Sequence, residues 1–314
     1  MNYLKCRGVV ITVTAVAFCA CSAQNRLNAS ERAAGGPGDA AGVFHLSPDR
    51  GPVRHVDFSP LTQPVSSEIL AGPANGLDSA FVIYTRMAPG GRKRGLFTLP
   101  VDSTYLVLSG KLNVQLGTDE FVAETETLVF VPAGVPHQAW NAGSAPEADL
   151  EVVTPATSRD IVSMMKEAKP AKIDNAAQYI RVPPPLTELK AGNRGGAGLN
   201  ERVLASRATG SEHLLERLDA TLTGGGRAET HIHPFDQVYF IRTGTMTVQY
   251  GLSKMDITAN SLLIIPAGMV HSNVNNTPDQ ESHITLLLPE NPKGTPAGSA
   301  VQIQGNPPPP PPKE

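Results

Sequence analysis

Residues 225–244 of the chain read GGRAETHIHPFDQVYFIRTG, and residues 266–275 read PAGMVHSNVN. Around these stretches, apolar runs such as 262–265 last about four residues and end at Gly or Pro. Short apolar runs bounded by turn-forming residues are typical of β-strands, because Pro cannot donate to a strand ladder and Gly weakens it. The stretch therefore predicts closely spaced strands joined by tight turns, as in an all-β sandwich or barrel.

The same arrangement occurs twice in the chain. Residues 91–141 align with residues 225–275 without a gap, at an offset of 134 residues, and 14 of the 51 positions are identical. The identical pairs include Asp102/Asp236, Tyr105/Tyr239, Gly110/Gly244, His137/His271 and the Pro-Ala-Gly tripeptides at 132–134 and 266–268. Turn formers and polar residues are repeated more than bulky apolar ones, which indicates a duplicated backbone arrangement.

The composition fits a globular chain and excludes several classes of function. Of 314 residues, 26 are basic and 29 are acidic, so the net charge is −3 and no strong positive field attracts nucleic acid. The only cysteines are Cys6, Cys19 and Cys21, so the rest of the chain has no thiol for a disulfide, a metal ligand or a nucleophile. Any metal in the folded part must bind to nitrogen and oxygen.

The two quoted stretches resemble the two sequence motifs of the cupin superfamily. The matching residues are Gly225, His231, His233, Gln237 and Gly244 in the first motif, and Pro266, Gly268, His271 and Asn275 in the second. Because the arrangement is repeated, the chain resembles a bicupin. This resemblance implies an all-β fold of two tandem jelly-roll barrels with short helical connections. The segments with a helical pattern are Ser158–Lys169 and Glu212–Leu218.

The repeat and the resemblance divide the chain into six segments. We expect a signal peptide at 1–23, of the lipoprotein type or a simple one, and a flexible linker at 24–50. A degenerate cupin barrel at 51–157 is expected to lead, through a connecting segment at 158–190, to a metal-binding cupin barrel at 191–290. A Pro-rich disordered tail is expected at 291–314.

The amino terminus predicts export. Lys5 and Arg7 precede a mostly apolar run at 9–20 that is too short to span a bilayer. The end of this run resembles a bacterial lipoprotein cleavage site with Cys21 as the lipidated residue, and cleavage after Ala23 is the alternative. We therefore expect a periplasmic or cell-surface lipoprotein or a secreted protein, which contacts the membrane only through a lipid on Cys21.

His231, His233 and His271 are the expected metal ligands. His231 and His233 are two positions apart, so a strand points both side chains to one face, and His271 follows the Pro-Ala-Gly turn at the start of a neighbouring strand. Three imidazoles suit one divalent first-row ion, such as Fe, Mn, Ni, Cu or Zn. The resemblance implies a glutamate ligand where this chain has Gln237. Gln237 is either a neutral fourth ligand or a hydrogen-bonding residue for substrate or water.

Three further residues are candidates for catalytic roles. Glu229 lies two residues before the first expected ligand, where its carboxylate acts as a general base or is solvated. Tyr239 and Asn273 have the parity of the inner face and are candidate substrate contacts, with core packing as the alternative for Tyr239. Asp102 and Asp236 have the opposite parity, which predicts a role in a turn or at a strand edge.

The amino-terminal copy lacks the ligand pattern. Phe97, Leu99 and Ser103 stand at the positions of the first three metal-motif residues, which leaves only His137. Because one imidazole does not hold a catalytic metal, we predict a structural barrel in which apolar side chains fill the space. The alternative is an apolar ligand pocket over Phe97, Leu99 and Trp140.

The resemblance implies a metal-dependent enzyme that binds a small-molecule substrate at open positions on the ion. A dioxygenase is favoured, because dioxygenases are common among cupins. A non-oxidative isomerase, lyase or decarboxylase, with sugar acids among its substrates, is the alternative that the neutral Gln237 favours. A non-catalytic module that holds a metal or a small molecule is the third hypothesis, since a fold does not fix a function. Cupins frequently pair through strand edges, so a homodimer is also expected.

Overall fold

The structure, a computed structural model, describes residues 44–185, 188, 190–191, 198–222, 224–288 and 301–302. The predicted signal peptide with Cys21, most of the predicted linker and nearly all of the predicted tail lie outside the described residues. Within the described ranges, no helix combines the length and the apolar composition needed to cross a membrane.

The described part of the chain consists mainly of short β-strands. Those of the first half are β1 (Phe44–Leu46), β2 (Val53–His55), β3 (Val65–Ala71), β4 (Phe81–Met87), β5 (Phe97–Thr98), β6 (Asp102–Ser109), β7 (Lys111–Leu116), β8 (Asp119–Glu124), β9 (Leu128–Val131), β10 (His137–Trp140), β11 (Glu147–Thr154) and β12 (Lys166–Glu167). Those of the second half are β13 (Ile180–Arg181), β14 (Lys190–Ala191), β15 (Asn200–Ala205), β16 (Leu215–Thr221), β17 (Arg227–Ile232), β18 (Asp236–Thr243), β19 (Thr245–Tyr250), β20 (Ser253–Thr258), β21 (Ser261–Ile265), β22 (His271–Val274), β23 (Glu281–Leu288) and β24 (Val301–Gln302). The helix α1 (Ile161–Met164) and 3-10 turns at Ala176–Tyr179 and Arg207–Thr209 connect them.

The strands form two barrels, each made of two sheets. In the first barrel a seven-stranded sheet, β1-β3-β4-β11-β6-β9-β13, faces the five-stranded sheet β12-β5-β10-β7-β8. In the second barrel the order β14-β15-β16-β23-β18-β21-β2 faces β20-β19-β22-β17-β24. Neighbouring strands are mostly antiparallel and often distant in sequence, as in a jelly roll. The predicted fold class of two tandem jelly-roll barrels is confirmed.

One of the two predicted helical segments is wrong. The segment 158–169 contains α1, but Glu212–Leu218 runs into the strand β16. β16 lies between β15 and β23 in the large sheet. One of its faces fills the second barrel and the other, with Leu218, packs against the first barrel. A strand buried on both faces loses the polar–apolar alternation that identifies strands in a sequence. Without that alternation, the spacing of the leucines in this segment resembled that of a helix.

Each barrel is completed by a strand from the segment that precedes the other barrel. β2 pairs with β21 of the second barrel, and β13 pairs with β9 of the first. Arg54 on β2 donates to the carbonyl of Asn75 at 2.9 Å, and Arg181 on β13 donates to the carbonyls of Leu204 and Thr209 at 2.5 and 2.7 Å. Each exchanged strand is thereby tied to the barrel that follows it. An apolar core shared by the two large sheets completes the contact.

The repeated aspartates lie at the junction of the barrels. One carboxylate oxygen accepts a backbone N–H of the Pro-Ala-Gly turn, at 3.1 Å for Asp102 and 3.0 Å for Asp236. The other oxygen reaches the opposite barrel, where Asp102 accepts the N–H of Glu212 at 3.1 Å and Asp236 accepts the hydroxyl of Ser79 at 2.6 Å. The repeat therefore preserves an aspartate with two roles. It fixes the turn that precedes the histidine of the second motif, and it joins the two barrels.

The repeated glycines Gly110 and Gly244 lie in tight turns with φ of +75°. A Cβ atom on Gly110 would lie 2.5 Å from the carbonyl oxygen of Pro146, and one on Gly244 would lie 2.6 Å from that of Gln280. Both the positive φ and the close approach of another backbone segment require glycine. These turns fix where β7 and β19 begin.

Candidate metal centre

The three expected metal ligands come from two neighbouring strands of the second barrel. His231 lies in β17, His233 follows the end of that strand, and His271 is the first residue of β22. His231 and His271 face each other as a register pair, and a bulge between Ala228 and His231 shifts the phase of β17 just before the site. Directly opposed residues of an antiparallel pair project to the same side, so the pairing brings two imidazoles together.

The imidazole rings of the three residues converge. Their centroids are 4.2 Å apart for His231 and His271, 4.9 Å for His233 and His271, and 5.7 Å for His231 and His233. One ligand atom from each ring lies within 4.8 Å of the others. His233 and His271 are buried, whereas His231 is partly exposed. Nitrogen atoms at these separations surround a common point, as ligands of one ion do.

Backbone carbonyls hold each ring in one orientation. The Nδ1 atom of His231 bonds the carbonyl of Glu229 at 2.7 Å, that of His233 bonds Phe235 at 2.7 Å, and that of His271 bonds Met269 at 2.9 Å. A carbonyl accepts, so Nδ1 must carry the proton and Nε2 must present its lone pair. This is the usual arrangement of histidines that ligate a metal. The buried Nε2 of His271 has no hydrogen-bond partner in the described structure.

The three imidazoles are neutral at pH 7. Burial is the main cause that lowers the pKa of all three, and the neighbouring rings lower it further for His231 and His271. The effect is largest for His271, whose pKa falls to about 3. Protonation would place positive charges side by side in a poorly solvated space. Neutral imidazole is the form that binds metal.

Gln237 joins the histidines at the same point. Its side chain is buried, and its Oε1 lies 2.5 Å from Nε2 of His233. Because Nδ1 of His233 carries the proton, two acceptors face each other at this distance unless the amide is turned to present its NH₂ group. A cation shared by both atoms would remove the repulsion. Three imidazole nitrogens and one amide oxygen thus fit a divalent first-row ion, and His231, His233, His271 and Gln237 would hold it.

The carboxylate of Glu229 points away from this set. It is half exposed and forms an ion pair with Arg227 at 2.8 Å. The bulge in β17 breaks the strict alternation from which its inward direction was predicted. Glu229 contributes its backbone carbonyl to the orientation of His231, and its side chain remains in the ion pair.

Tyr239 and Asn273 are both buried in the second barrel. The ring of Tyr239 packs edge-on to that of His283, with centroids 4.9 Å apart, and belongs to an apolar cluster with Ile241 and Met246. The amide of Asn273 accepts the N–H of Ala228 at 3.1 Å and donates to the sulfur of Met246 at 3.3 Å. Asn273 therefore joins β22 to β17 next to the histidines, and its amide groups are engaged within the barrel.

A buried charge network beside the site was not among the candidates. Arg217 on β16 donates to Asp219 at 2.7 Å and pairs with Glu201 at 3.0 Å. On β23, Nδ1 of His283 bonds Glu281 at 2.8 Å. Burial alone would lower the pKa of His283, but the carboxylates of Glu281 and Asp219 outweigh it and raise the pKa. The charged residues at alternate positions of both strands are the sequence signal for this network.

A model of the cupin domain matches residues 83–153 and residues 219–286. The two matches fall on the two barrels. The chain is a bicupin. None of the curated protein sequences matches it.

Solved bicupin structures share the fold at low sequence identity. A mutant of Bacillus subtilis oxalate decarboxylase has 14% identity and a TM-score of 0.50, and the match covers 72% of this chain and 71% of that one. A mutant of the salicylate 1,2-dioxygenase of Pseudoaminobacter salicylatoxidans, in complex with gentisate, has 12% identity and a TM-score of 0.56, and the match covers 73% and 75%. At these identities the likeness shows a common fold.

The first cupin domain of this bicupin is filled by side chains where the second has its histidines. The ring of Phe97 packs on His137 with centroids 4.2 Å apart, and Leu99 and Trp140 are buried. Nδ1 of His137 bonds the carbonyl of Val135 at 2.8 Å, which repeats the arrangement of His271. The cavity beside Phe97 measures about 10 Å³, room for about one water.

A buried ion pair lies next to this filled core. Nζ of Lys93 donates to Asp149 at 2.6 Å and to Glu151 at 3.2 Å, and lies 4.5 Å from the centre of the Tyr105 ring. Burial opposes the charge on Lys93, but the carboxylates outweigh it and raise the pKa of Lys93. The salt bridge therefore ties the connection between β4 and β5, whose Lys93 N–H also bonds the carbonyl of Ala139 on β10, to β11.

Proposed function

We propose that the second cupin domain is the active site of a metal-dependent enzyme, and that this enzyme is a dioxygenase acting on a small organic substrate. The observation that carries the proposal is the convergence of three neutral imidazoles whose Nδ1 atoms are all engaged by backbone carbonyls. His231, His233 and His271 would hold the ion, with Gln237 as a fourth donor. The fold shared with salicylate 1,2-dioxygenase supports this reaction class.

The residues of the site set the direction of approach. His233 and His271 are buried, so substrate reaches the ion from the side of the partly exposed His231. The ring of Phe235 stacks on His233 at 4.4 Å with an angle of 6° between the planes, which prevents that imidazole from rotating. Fixed ligands and a mostly closed barrel hold reactants in place and exclude bulk water.

The charge of the donor set indicates the substrate class. Three imidazoles and one amide carry no negative charge, so the charge of a divalent ion would remain uncompensated in a buried site. An anionic substrate compensates it, and a small carboxylate is therefore the substrate we expect. When bound, the ion would supply open positions for dioxygen and substrate, and both oxygen atoms of O₂ would enter the product.

A second candidate function is a non-oxidative decarboxylase, lyase or isomerase. The observation that favours it is Gln237, because a neutral donor leaves the full ion charge available to polarise a substrate carbonyl. The fold shared with oxalate decarboxylase supports it as well. Here the same four side chains would hold the ion, and no dioxygen would be consumed.

Metal loading followed by oxygen measurement tests the proposal. The full chain, stripped of metal and reloaded separately with Fe(II), Mn(II), Ni(II), Cu(II) or Zn(II), is assayed with salicylate, gentisate and oxalate. A dioxygenase consumes one O₂ for each product molecule and forms no product without oxygen. Turnover in anaerobic buffer supports the second candidate. If the protein binds stoichiometric metal but turns over none of a broad set of carboxylates, the result would support a non-catalytic binding module.

His137→Ala is a matched control for the ligand assignment, because His137 has the same Nδ1 bond to a carbonyl but lies in the first domain. We expect His231→Ala or His233→Ala to lose the metal and His137→Ala to keep it. Loss of metal from His137→Ala with retention in His233→Ala would mean that the two domains have been assigned the wrong roles.

We also propose that residues 1–23 export the chain and that Cys21 carries a lipid. The basic start and the short apolar run of the sequence support this proposal. Mass spectrometry of the mature amino terminus tests it. A lipid on Cys21 indicates a lipoprotein, a free amino group on Gln24 indicates simple secretion, and a retained Met1 contradicts both.

A further inference from the structure

A second cavity lies outside the metal centre, where the amino-terminal strand crosses both domains. It has a volume of about 340 Å³, which is within the range of small-molecule sites. The segment around β2 contributes Arg50 and Arg54, the connection between β3 and β4 contributes Asn75, and the second domain contributes Tyr250. None of these residues is an expected metal ligand, so any function here goes beyond the proposed enzyme activity.

Arg54 is a buried cation that forms no ion pair within 4 Å among the described residues, although the charge of Asp49 acts on it. Only 3% of its surface is exposed. Its guanidinium donates to the carbonyls of Asn75 at 2.9 Å and of Val53 at 3.3 Å, and its buried Nε has no partner in the described residues. A buried charge that is not paired is costly, and carbonyls compensate it only in part. An anion in the cavity would provide the missing partner.

The other groups of the cavity complete this arrangement. Arg50 is exposed and adds a second positive charge. The one acidic lining residue, Asp49, is engaged by His55, whose backbone N–H and Nδ1 lie 2.7 and 3.2 Å from the same carboxylate oxygen. The charge of Asp49 acts on Arg54 and offsets it in part, and the charge of Arg50 leaves these lining residues with a net positive charge.

Asn75 presents an acceptor next to this cation. Its amide NH₂ donates to the carbonyls of Ile69 and Leu70 at 3.1 and 3.2 Å, which fixes the orientation of the amide. Its Oδ1 is buried and has no donor in the described residues. A ligand that satisfies both Arg54 and Asn75 must combine an oxyanion with a hydrogen-bond donor, since Oδ1 accepts a hydrogen bond and cannot donate one, and a hydroxyl group is the simplest such donor.

We propose that this cavity binds a small oxyanion that carries a hydroxyl group. The oxyanion lies against Arg54 and Arg50, and the hydroxyl donates to Oδ1 of Asn75. A hydroxycarboxylate and a protonated phosphate offer the same chemistry. Arginine suits both, because its planar guanidinium donates in the geometry that carboxylate and phosphate accept.

Isothermal titration calorimetry of the full chain with glycolate, acetate and inorganic phosphate tests the proposal. Glycolate is expected to bind at least fivefold more tightly than acetate, which lacks the hydroxyl, and binding should weaken as salt is added. Binding of phosphate but not glycolate identifies a phosphate-type ligand of the same chemistry. Equal affinity for glycolate and acetate contradicts the role of Asn75, and no saturable heat up to about 10 mM of any probe overturns the proposal.

Variants locate the binding. Arg54→Gln should weaken glycolate binding tenfold or more, and Lys172→Gln, which removes an exposed positive charge elsewhere, should not change it. If Arg54→Gln does not fold, Arg50→Gln at the neighbouring exposed position is tested in its place, and its glycolate affinity should fall about threefold. The double variant His231→Ala/His233→Ala must retain binding. Loss of glycolate binding in this double variant, or unchanged glycolate affinity in the arginine variants, would mean that the ligand binds elsewhere and would refute the site.

Discussion

Glu216 is a buried carboxylic acid between the two domains, and its substitution should alter how stability depends on pH. It lies on β16 with its side chain in the domain interface, where Thr104 of the first domain donates to Oε2 at 2.7 Å and Oε1 has no partner in the described structure. Burial is the main cause that raises the pKa of Glu216 from 4.5 to about 7, while the bond from Thr104 and the charge of Arg181 act in the other direction.

The direction and size of the effect follow from this pKa. Between pH 4.5 and about 7 the unfolded chain has released the proton that the folded chain retains, so the stability contributed by protonated Glu216 is fully present below pH 4.5 and is lost as the pH rises to 7. Linkage over this interval gives about 2.5 kcal/mol less stability at pH 8 than at pH 5. Glu216→Gln removes this term, because the amide stays neutral and still accepts the bond from Thr104.

Urea unfolding of the full chain at pH 5, 6, 7 and 8 measures the effect. The difference between the wild type and Glu216→Gln should shift by about 2–3 kcal/mol in favour of the variant between pH 5 and pH 8. Glu167→Gln, at an exposed position of β12, is the control and should follow the wild type. Parallel pH profiles for the wild type and Glu216→Gln would show that the carboxyl ionises normally and that the interface admits water.

Further predictions concern the metal centre, the repeated turn and the domain junction. Gln237→Glu should retain the metal but lower its reduction potential, since a carboxylate compensates the ion charge; a potential unchanged by voltammetry would place the side chain outside the coordination sphere. Gly244→Ala should lower the unfolding free energy by about 3 kcal/mol or more. Gly90 also has a positive φ, +79°, but a Cβ atom there would have no neighbour within 4 Å, so Gly90→Ala should cost only about 1 kcal/mol. Equal losses for the two variants in thermal unfolding would contradict the steric argument. Asp236→Ala removes a charge-assisted bond from Ser79 and should cost about 1–3 kcal/mol in the same assay, and no change would mean that the bond is replaced by water.

The two domains show different solutions to filling a jelly-roll interior. In the second domain three imidazoles meet, and the buried Nε2 of His271 has no hydrogen-bond partner in the described structure, a partner that an ion would supply. In the first domain Phe97 occupies the equivalent space and Lys93 pairs with two acids. The first domain therefore fills this space with its own side chains, although the buried Nε2 of His137 also has no hydrogen-bond partner in the described residues. This contrast supports the choice of the second domain as the functional one.

The sequence by itself determined the all-β class, the duplication and the identity of the converging histidines. These features follow from local chemistry. The spacing of two residues lets His231 and His233 point to one side, although β17 ends at Ile232, and a Pro-Ala-Gly turn precedes the strand that carries His271. The glycine at 244 and the aspartate at 236 recur for the same reason, because a turn with positive φ and a bonded turn N–H each require a particular residue type.

Only the tertiary structure decided which charged side chains surround the site and how the domains are joined. The bulge in β17 turned Glu229 to solvent, and strand exchange placed β2, which precedes most of the first domain in sequence, in the second domain. The segment 215–221 became a strand because both of its faces are buried. Such outcomes depend on contacts between residues far apart in the chain, and the free energy of those contacts outweighs the small local preferences that a sequence pattern reports.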